Sequence, residues 1–295
     1  MDQRFEKLYC SRWNIGFIEQ PVAEIMTGAE TEFDVKWVKH RLTDRFFADP
    51  FILSVEGGVI KVLVEEYFYN TKKGIITLLE VDAATYELRR RKVVLEQPYH
   101  QSFRDGDRIY VLPEASESGC LYRYEYDAES EELVNRQLVV EEPLLDSTFV
   151  ELDGKWWLLC TKRGEYSNRG LFVFESERFE GPYSPINGNS PVIVDWDNAR
   201  PAGYIERIDG KVYRSTQVCN RCYGEYMKIF EVEAIDESGV NQKFVKEIHP
   251  KRSKYSGSFH TLNGYGNITV VDGVNKSFRP FFKLWTGLEN KLKKK

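Results

Sequence analysis

Five polar residues stand at matching places along the chain: Asp49, His100, Asp146, Arg200 and His260. Two carboxylates, two imidazoles and a guanidinium form a set able to move protons and to grip a polyhydroxylated or anionic molecule. Charges gathered in a confined place cost desolvation energy unless they are paired or wetted, so a bare scaffold would use apolar residues there. The set is therefore a candidate functional site. Taken singly the residues have plainer readings, with Asp49 and Asp146 capping turns and bridging to Arg200. A second group follows at the ends of the next apolar runs: Glu65 or Glu66, Glu114, Thr161 and Gln217. Glu114 precedes the polar stretch ASESG, where it can serve as a proton donor or hydroxyl acceptor, or be a solvated loop charge. Gln101, beside His100, joins the polar contacts. Tyr67, Tyr99, Trp156, Trp157, Tyr204 and Tyr223 could offer stacking faces to sugar rings, although most aromatics in a β fold fill its core.

These residues share an origin in a repeat. The segments ADPFILSVEGGVIKVLVEE, HQSFRDGDRIYVLPE, DSTFVELDGKWWLLCT, RPAGYIERIDGKVYRSTQ and FHTLNGYGNITVVDG follow one pattern. A polar start leads into an apolar run, a Gly- or Asp-containing turn and an aromatic-rich run. Gly57-Gly58, Asp105-Gly106, Asp153-Gly154 and Asp209-Gly210 tolerate the positive φ that tight hairpins need. After the hairpins come alternating runs such as GIITLLEVD, CLYRYEYD, GLFVFES and YMKIFEVEA, the pattern of half-buried strands. The five lead positions lie 51, 46, 54 and 60 residues apart. Four-stranded units at that period predict an all-β, five-bladed β-propeller across residues 1–295, with blades starting near 48, 100, 146, 200 and 259. The strand-like WNIGFIEQPVAEI before the first blade is expected to close the ring with the last one. A β-sandwich with coincidental spacing is the competing architecture. In a propeller the innermost strands start at one mouth of the central channel, which brings the five lead residues together.

Composition limits the partners. The 295 residues carry 41 basic and 46 acidic side chains, a net charge of −5, which disfavours a general nucleic-acid binder. No apolar run reaches the length of a membrane span, and the start MDQRFEKLYCSRW lacks a secretory apolar core. Five cysteines, an odd number, point to reduced thiols in a cytoplasm. Cys219-Asn-Arg-Cys222 has no second ligand pair at zinc spacing, so no metal or other cofactor is expected. His260 could ligate an axial ion of the kind some relatives of this fold hold, but a lone His is more often a hydrogen-bonding residue.

The strings ADPF, LVEEYFYNTKKGIITLLEVD, PYHQSF, YVLPEASESG, LDSTFVELDGKWWL, RPAGYIERIDGKVYR, YGEYMKIFEVEAI and FHTLNGYGN run in a familiar order. From about Asp44 to Asp272 the chain resembles the propeller at the N-terminus of plant glucosamine inositolphosphorylceramide transferases. It also resembles bacterial stand-alone or formyltransferase-linked copies of that domain. More distantly it is similar to the five-bladed propellers of family 43 glycoside hydrolases. That distant resemblance implies an inverting glycosidase site, with Asp49 matching the base and Asp146 matching the residue that orients the acid. The fourth blade carries Arg200 where the template has its acidic Glu, and Arg cannot donate a proton at neutral pH. Glu114 could replace it only if its loop reaches the channel.

Three functions stay open. One is a glycoside hydrolase-like or glycosyl-transferring enzyme acting on a polysaccharide or glycolipid precursor, with Asp49, Asp146 and Glu114 as catalytic residues. His100, Gln101, Arg200, Gln217, Tyr223 and His260 would then bind substrate. The second is a phosphate-dependent phosphorylase in which Arg200, His100 and His260 hold an anionic donor. The third is a non-catalytic glycan-binding module that assists a partner glycosyltransferase or formyltransferase. The tail FFKLWTGLENKLKKK can touch an anionic lipid surface, and equally can be a solvated terminus.

Overall fold

A computed structural model describes residues 9–97, 100–114 and 119–278. The readings given to Tyr99, to the loop at 115–118, to the tail and to the His100 side chain fall outside what it describes. The chain opens with β1 (Tyr9–Ile18), α1 (Val22–Thr27), β2 (Glu32–Phe33) and β3 (Lys36–Trp37). The strand-like opening segment is thus split. Pro21, at φ −60°, has no N–H for a ladder and starts the short helix instead.

The rest forms five antiparallel sheets. Blade one is β4 (Arg45–Glu56), β5 (Val59–Phe68), β6 (Lys73–Asp82) and β7 (Leu88–Leu95). Blade two is β8 (His100–Asp105), β9 (Arg108–Pro113), β10 (Leu121–Asp127) and β11 (Glu132–Val140). Blade three is β12 (Leu144–Leu152), β13 (Lys155–Lys162) and β14 (Gly170–Ser176), edged by β15 (Ser184–Pro185) and β16 (Ile193–Val194). Its outer strand is broken in two because Pro182, Pro185 and Pro191 cannot donate to a ladder. Blade four is β17 (Glu206–Ile208), β18 (Lys211–Gln217), β19 (Met227–Asp236) and β20 (Gly239–Pro250), with β2 added in parallel. Blade five is β21 (Leu262–Tyr265), β22 (Ile268–Phe278), β1 and β3. Together the sheets make a five-bladed β-propeller. Tyr9 to Ile18 pairs residue for residue with Phe278 to Thr269, so the first strand completes the last blade and covers its edge.

Apolar clusters fill the joints between blades. Phe51, Leu63 and Leu78 meet Ile109 and Val111 between blades one and two. Phe103 and Leu112 meet Phe149 and Phe174 between two and three. Similar clusters centred on Leu159 and Val212, on Met227 and Val271, and on Phe17 and Phe47 complete the circle. Each buried Phe or Leu contributes roughly 1.5–3 kcal/mol, so the ring is held by its joints and the axis is free to be polar.

Most hairpins form at the expected dipeptides: Gly57-Gly58, Asp153-Gly154 and Asp209-Gly210 all have positive φ at both residues. In blade two, Asp105 pairs with Arg108, so the turn is Gly106-Asp107, one residue later than the sequence suggests. Asp272-Gly273, which reads like another turn, lies inside β22. There a Cβ on residue 273 would sit 2.4 Å from Trp37 and from the Tyr255 carbonyl, so the glycine serves close packing.

Candidate active site

Blades one and three carry the same backbone device. In β4 the register slips between Ala48 and Phe51, and in β12 between Leu145 and Thr148. Each slip is a bulge that sets two residues against one on the partner strand. The first bulged residue is Asp49 in one case and Asp146 in the other, with φ 52° and 49°. Asp tolerates this left-handed conformation better than most residues, yet it still costs on the order of 1 kcal/mol or more. Side chains that would have followed the strand alternation are re-aimed toward the channel mouth.

Asp49 sits at one end of a buried chain of acid, imidazole and acid. The Thr261 hydroxyl donates to Asp49 Oδ1 at 3.0 Å, and His260 Nε2 lies 3.9 Å from the same oxygen. On the other side of the ring, His260 Nδ1 is 2.7 Å from Asp272 Oδ2. Asp272 is fully buried, and its oxygens also accept the backbone N–H groups of Asp49, His260 and Thr261 at 3.0–3.2 Å. His260 Nδ1 also lies 3.3 Å from the Thr261 hydroxyl, so the ring is clasped between the two carboxyl groups. Trp13 stacks on the imidazole at 4.2 Å and 18°, and Tyr223 meets it edge-on at 5.1 Å. Burial, and then the negative charges of Asp272, Glu65 and Asp146, hold the Asp49 carboxyl well above the usual carboxylate range, partly offset by the Thr261 bond. Asp49 is thereby kept as a proton carrier.

Asp146 is paired with a cation instead. Arg200 Nε lies 2.6 Å from its Oδ2 with both side chains nearly buried. The N–H does not point along that line, since neither atom has a directional hydrogen bond, so the pair is held by charge attraction. The rest of the guanidinium is also engaged. Nη1 donates to the Ser167 carbonyl and to Asn168 Oδ1 at 2.8 Å, and Nη2 reaches the Tyr223 hydroxyl at 3.4 Å.

A cavity of about 340 Å³ opens over these groups, within the range of small-ligand sites. Glu65, Tyr67, Glu114 and Arg163 complete its wall. Glu65 has room because residue 74 lacks a side chain: a Cβ there would fall 2.0 Å from Glu65 Oε1. Glu114 reaches the cavity, where it pairs with Arg163 at 2.7 Å.

The structure thus brings Asp49, Asp146, Glu114, Arg200, Tyr223 and His260 to one mouth. Gln101 is buried but does not line the cavity. Gln217 does not line it either: its Nε2 donates to the Pro201 carbonyl at 2.8 Å and braces the backbone behind Arg200. Of the alternatives Glu65 and Glu66, the strand alternation sends Glu65 to the mouth. Glu66 turns into the blade, to Arg45, Arg91 and Thr77. Trp157 is core, while Trp156 and Tyr204 lie at a different cavity. Sequence reasoning missed Asp272, Trp13, Thr261 and Arg163. Asp272 was hidden by its turn-like Asp-Gly context, and Trp13 belongs to the ring-closing strand, outside the repeat.

Asp49, His260 and Asp272 each offer a ligand atom within 4.8 Å of the others. The two oxygens of Asp272 already accept three backbone N–H groups, and Oδ2 also faces His260 Nδ1 at 2.7 Å, which occupies the side a metal would need. The donor set suits a hydrogen-bonded relay better than a cation.

Architecture and site together define a five-bladed propeller with an acid-lined axial mouth. The chain belongs to the family described as glucosamine inositolphosphorylceramide transferase 1, N-terminal, which it matches over residues 21–264. It is 27% identical over 248 residues to the rice (Oryza sativa subsp. japonica) glucosamine inositolphosphorylceramide transferase 1, covering 77% of this chain and 33% of that protein. The Arabidopsis thaliana protein of the same name is 27% identical over 216 residues, covering 66% of this chain and 26% of that one. The chain therefore spans about a third or less of these relatives. Among solved structures, the catalytic domain of the Coprinopsis cinerea GH62 α-L-arabinofuranosidase superposes with a TM-score of 0.54 at 11% identity, covering 75% of this chain and 78% of that one. An exo-β-1,3-galactanase from Clostridium thermocellum gives 0.50 at 10% identity over 71% and 52%. At such identities these likenesses speak for the fold alone.

Proposed function

We propose that this propeller is a carbohydrate-active enzyme of the glycosyl-transfer or hydrolysis type, acting on a glycolipid or polysaccharide precursor. The observation that carries the reading is the Asp49 carboxyl, buried, raised in pKa and backed by the His260–Asp272 pair at the floor of an acid-lined cavity. Asp49 was matched to the base by family resemblance; its environment suits the acid. As the bond from the anomeric carbon to the leaving oxygen breaks, the Asp49 proton passes to that oxygen. Glu65 accepts the proton of the incoming hydroxyl as its oxygen bonds to the anomeric carbon. His260, held against Asp272, places its Nε2 edge 3.9 Å from Asp49 Oδ1 and helps to position that carboxyl. Asp146, fixed by Arg200, shapes the wall and adds negative charge near the oxocarbenium-like centre.

The phosphorylase alternative is weaker on this geometry, because every arm of Arg200 already has a partner. The chain matches only a third of its rice relative, which leaves room for a partner transferase and for the binding-module reading. A cytoplasmic location is part of the proposal, in keeping with the free thiols of Cys160, Cys219 and Cys222. The deciding experiment is a saccharide and sugar-phosphate screen on wild type and Asp49→Asn, reading binding and turnover in parallel. Turnover lost by 10²–10⁴-fold with binding retained supports the enzyme. Binding in both proteins without turnover in either assigns a binding module, and no saccharide interaction in either refutes the reading.

A further inference from the structure

The propeller axis has a second mouth. At the hairpin ends of the innermost strands of blades two, three and four lies a separate cavity of about 210 Å³. Phe103, Phe149, Trp156 and Tyr204 give it aromatic walls, and Glu206 sits among them. Six residues separate Glu206 from Arg200, so this cavity lies on the order of 20 Å along the chain from the near mouth. Gly203 positions this part of blade four. With φ 122°, it lets the backbone approach blade five so closely that a Cβ would fall 2.2 Å from the Leu262 carbonyl. The neighbouring Tyr204 N–H is then held by Asn263 Oδ1 at 2.8 Å.

Glu206 is a carboxyl without a counter-charge. Among the described residues it forms no ion pair, and burial, offset in part by the Gly264 backbone amide, raises its pKa to about 7. Two guanidiniums line the same cavity, and both are committed elsewhere. Arg104 donates to the Leu53 carbonyl at 2.7 Å and lies over the Tyr265 ring, while Arg207 donates to the Glu151 carbonyl at 2.6 Å. Asp105 and Glu151 also line the cavity, so two arginines face three acids and the ionised wall carries a net −1. An ionised, half-buried carboxylate beside aromatic rings is relieved by a cation, and a cation that also carries apolar surface gains from the rings.

We propose that this far mouth is a binding site for a small organic ammonium ion, held by the Glu206 carboxylate beside the rings of Tyr204 and Trp156. The class comprises primary and methylated alkylamines and the ammonium group of an aminated sugar. The proposal does not depend on the chemistry assigned to the near mouth.

The test is a calorimetric or NMR titration of the full chain with propylammonium chloride, with 1-propanol as the neutral control. At pH 8 wild type should bind one propylammonium with a dissociation constant in the millimolar range, and propanol should not bind. At pH 6 affinity should fall about ten-fold, following the ionised fraction of a carboxyl that titrates near 7. Glu206→Gln, which can still accept from Gly264, should lose at least about ten-fold at pH 8 together with the pH dependence. Trp156→Leu should weaken binding and keep the pH dependence; it decides the matter if Glu206→Gln does not fold. Absence of saturable binding, equal affinity in Glu206→Gln, or equal binding of propanol would overturn the proposal. So would loss of binding in Asp49→Asn with Glu206→Gln unaffected, since the ion would then occupy the near mouth.

Discussion

Replacing Asp49 by Asn tests the protonation state on which the near-mouth chemistry rests, and it does so without a substrate. Asn adopts the left-handed backbone as readily as Asp, and the Thr261 hydroxyl can still donate to its Oδ1. The Asp49 backbone N–H bond to Asp272 is unaffected by the change. In the unfolded chain the carboxyl titrates near 3.8, and in the folded protein burial and neighbouring charge hold it well above that value. The folded state therefore binds the proton more tightly. Stability is fully present below about pH 4 and is lost as pH rises toward the folded pKa, by about 1.4 kcal/mol for each pH unit in that window. Above the folded pKa the loss stops growing. Asn has no proton to lose, so the variant should gain on wild type by the same slope. Urea unfolding of both proteins at several pH values between about 4.5 and 7.5 reads this directly. A stability difference that stays flat across the range would mean that Asp49 ionises normally in the folded protein, and the acid role would fall with it.

Other substitutions probe the parts around it. Arg200→Met should destabilise by about 3–5 kcal/mol in chemical denaturation, because it strands the Asp146 carboxylate in the protein interior; adding Asp146→Asn should recover at least half of that loss. Gly203→Ala forces a Cβ against the Leu262 carbonyl at a φ of 122°, and a melting measurement should show a loss of about 2–4 kcal/mol or failure to fold. Gly74→Ala meets only the flexible end of Glu65, so stability should change by less than about 1 kcal/mol while saccharide affinity or turnover falls about ten-fold. Deleting residues 1–18 removes β1 and uncovers the β22 edge, and size-exclusion chromatography should then show association or loss of the folded species.

The repeat was legible because it depends on local chemistry. Alternating apolar residues, Gly-Gly and Asp-Gly turns and a steady period near 50 each constrain only their own neighbourhood. The exceptions are also local in cause. Pro21 turned part of a strand-like segment into a helix, prolines split the outer strand of blade three, and the blade-two turn moved by one residue. The site was legible only where it followed the repeat. Asp49, Asp146, Arg200 and His260 sit at equivalent positions and meet at one mouth. Trp13 and Asp272 lie off that pattern: one comes from the strand that closes the ring, the other from a second strand whose Asp-Gly pair reads as a turn. Gln217 occupies a repeat position but spends its amide on the Pro201 carbonyl.

Residue types and spacing alone determined that the chain would fold into five β units and that acids, the His260 imidazole and a guanidinium would converge. Burial and pairing, which arise only when distant strands meet, decided what each can do. Asp146 and Asp49 are the same residue type in the same kind of bulge, yet one is paired with Arg200 while burial beside Asp272 and Glu65 raises the proton affinity of the other. A carboxyl's proton affinity is a property of its surroundings, and those surroundings are assembled from residues as far apart as Trp13 and Asp272.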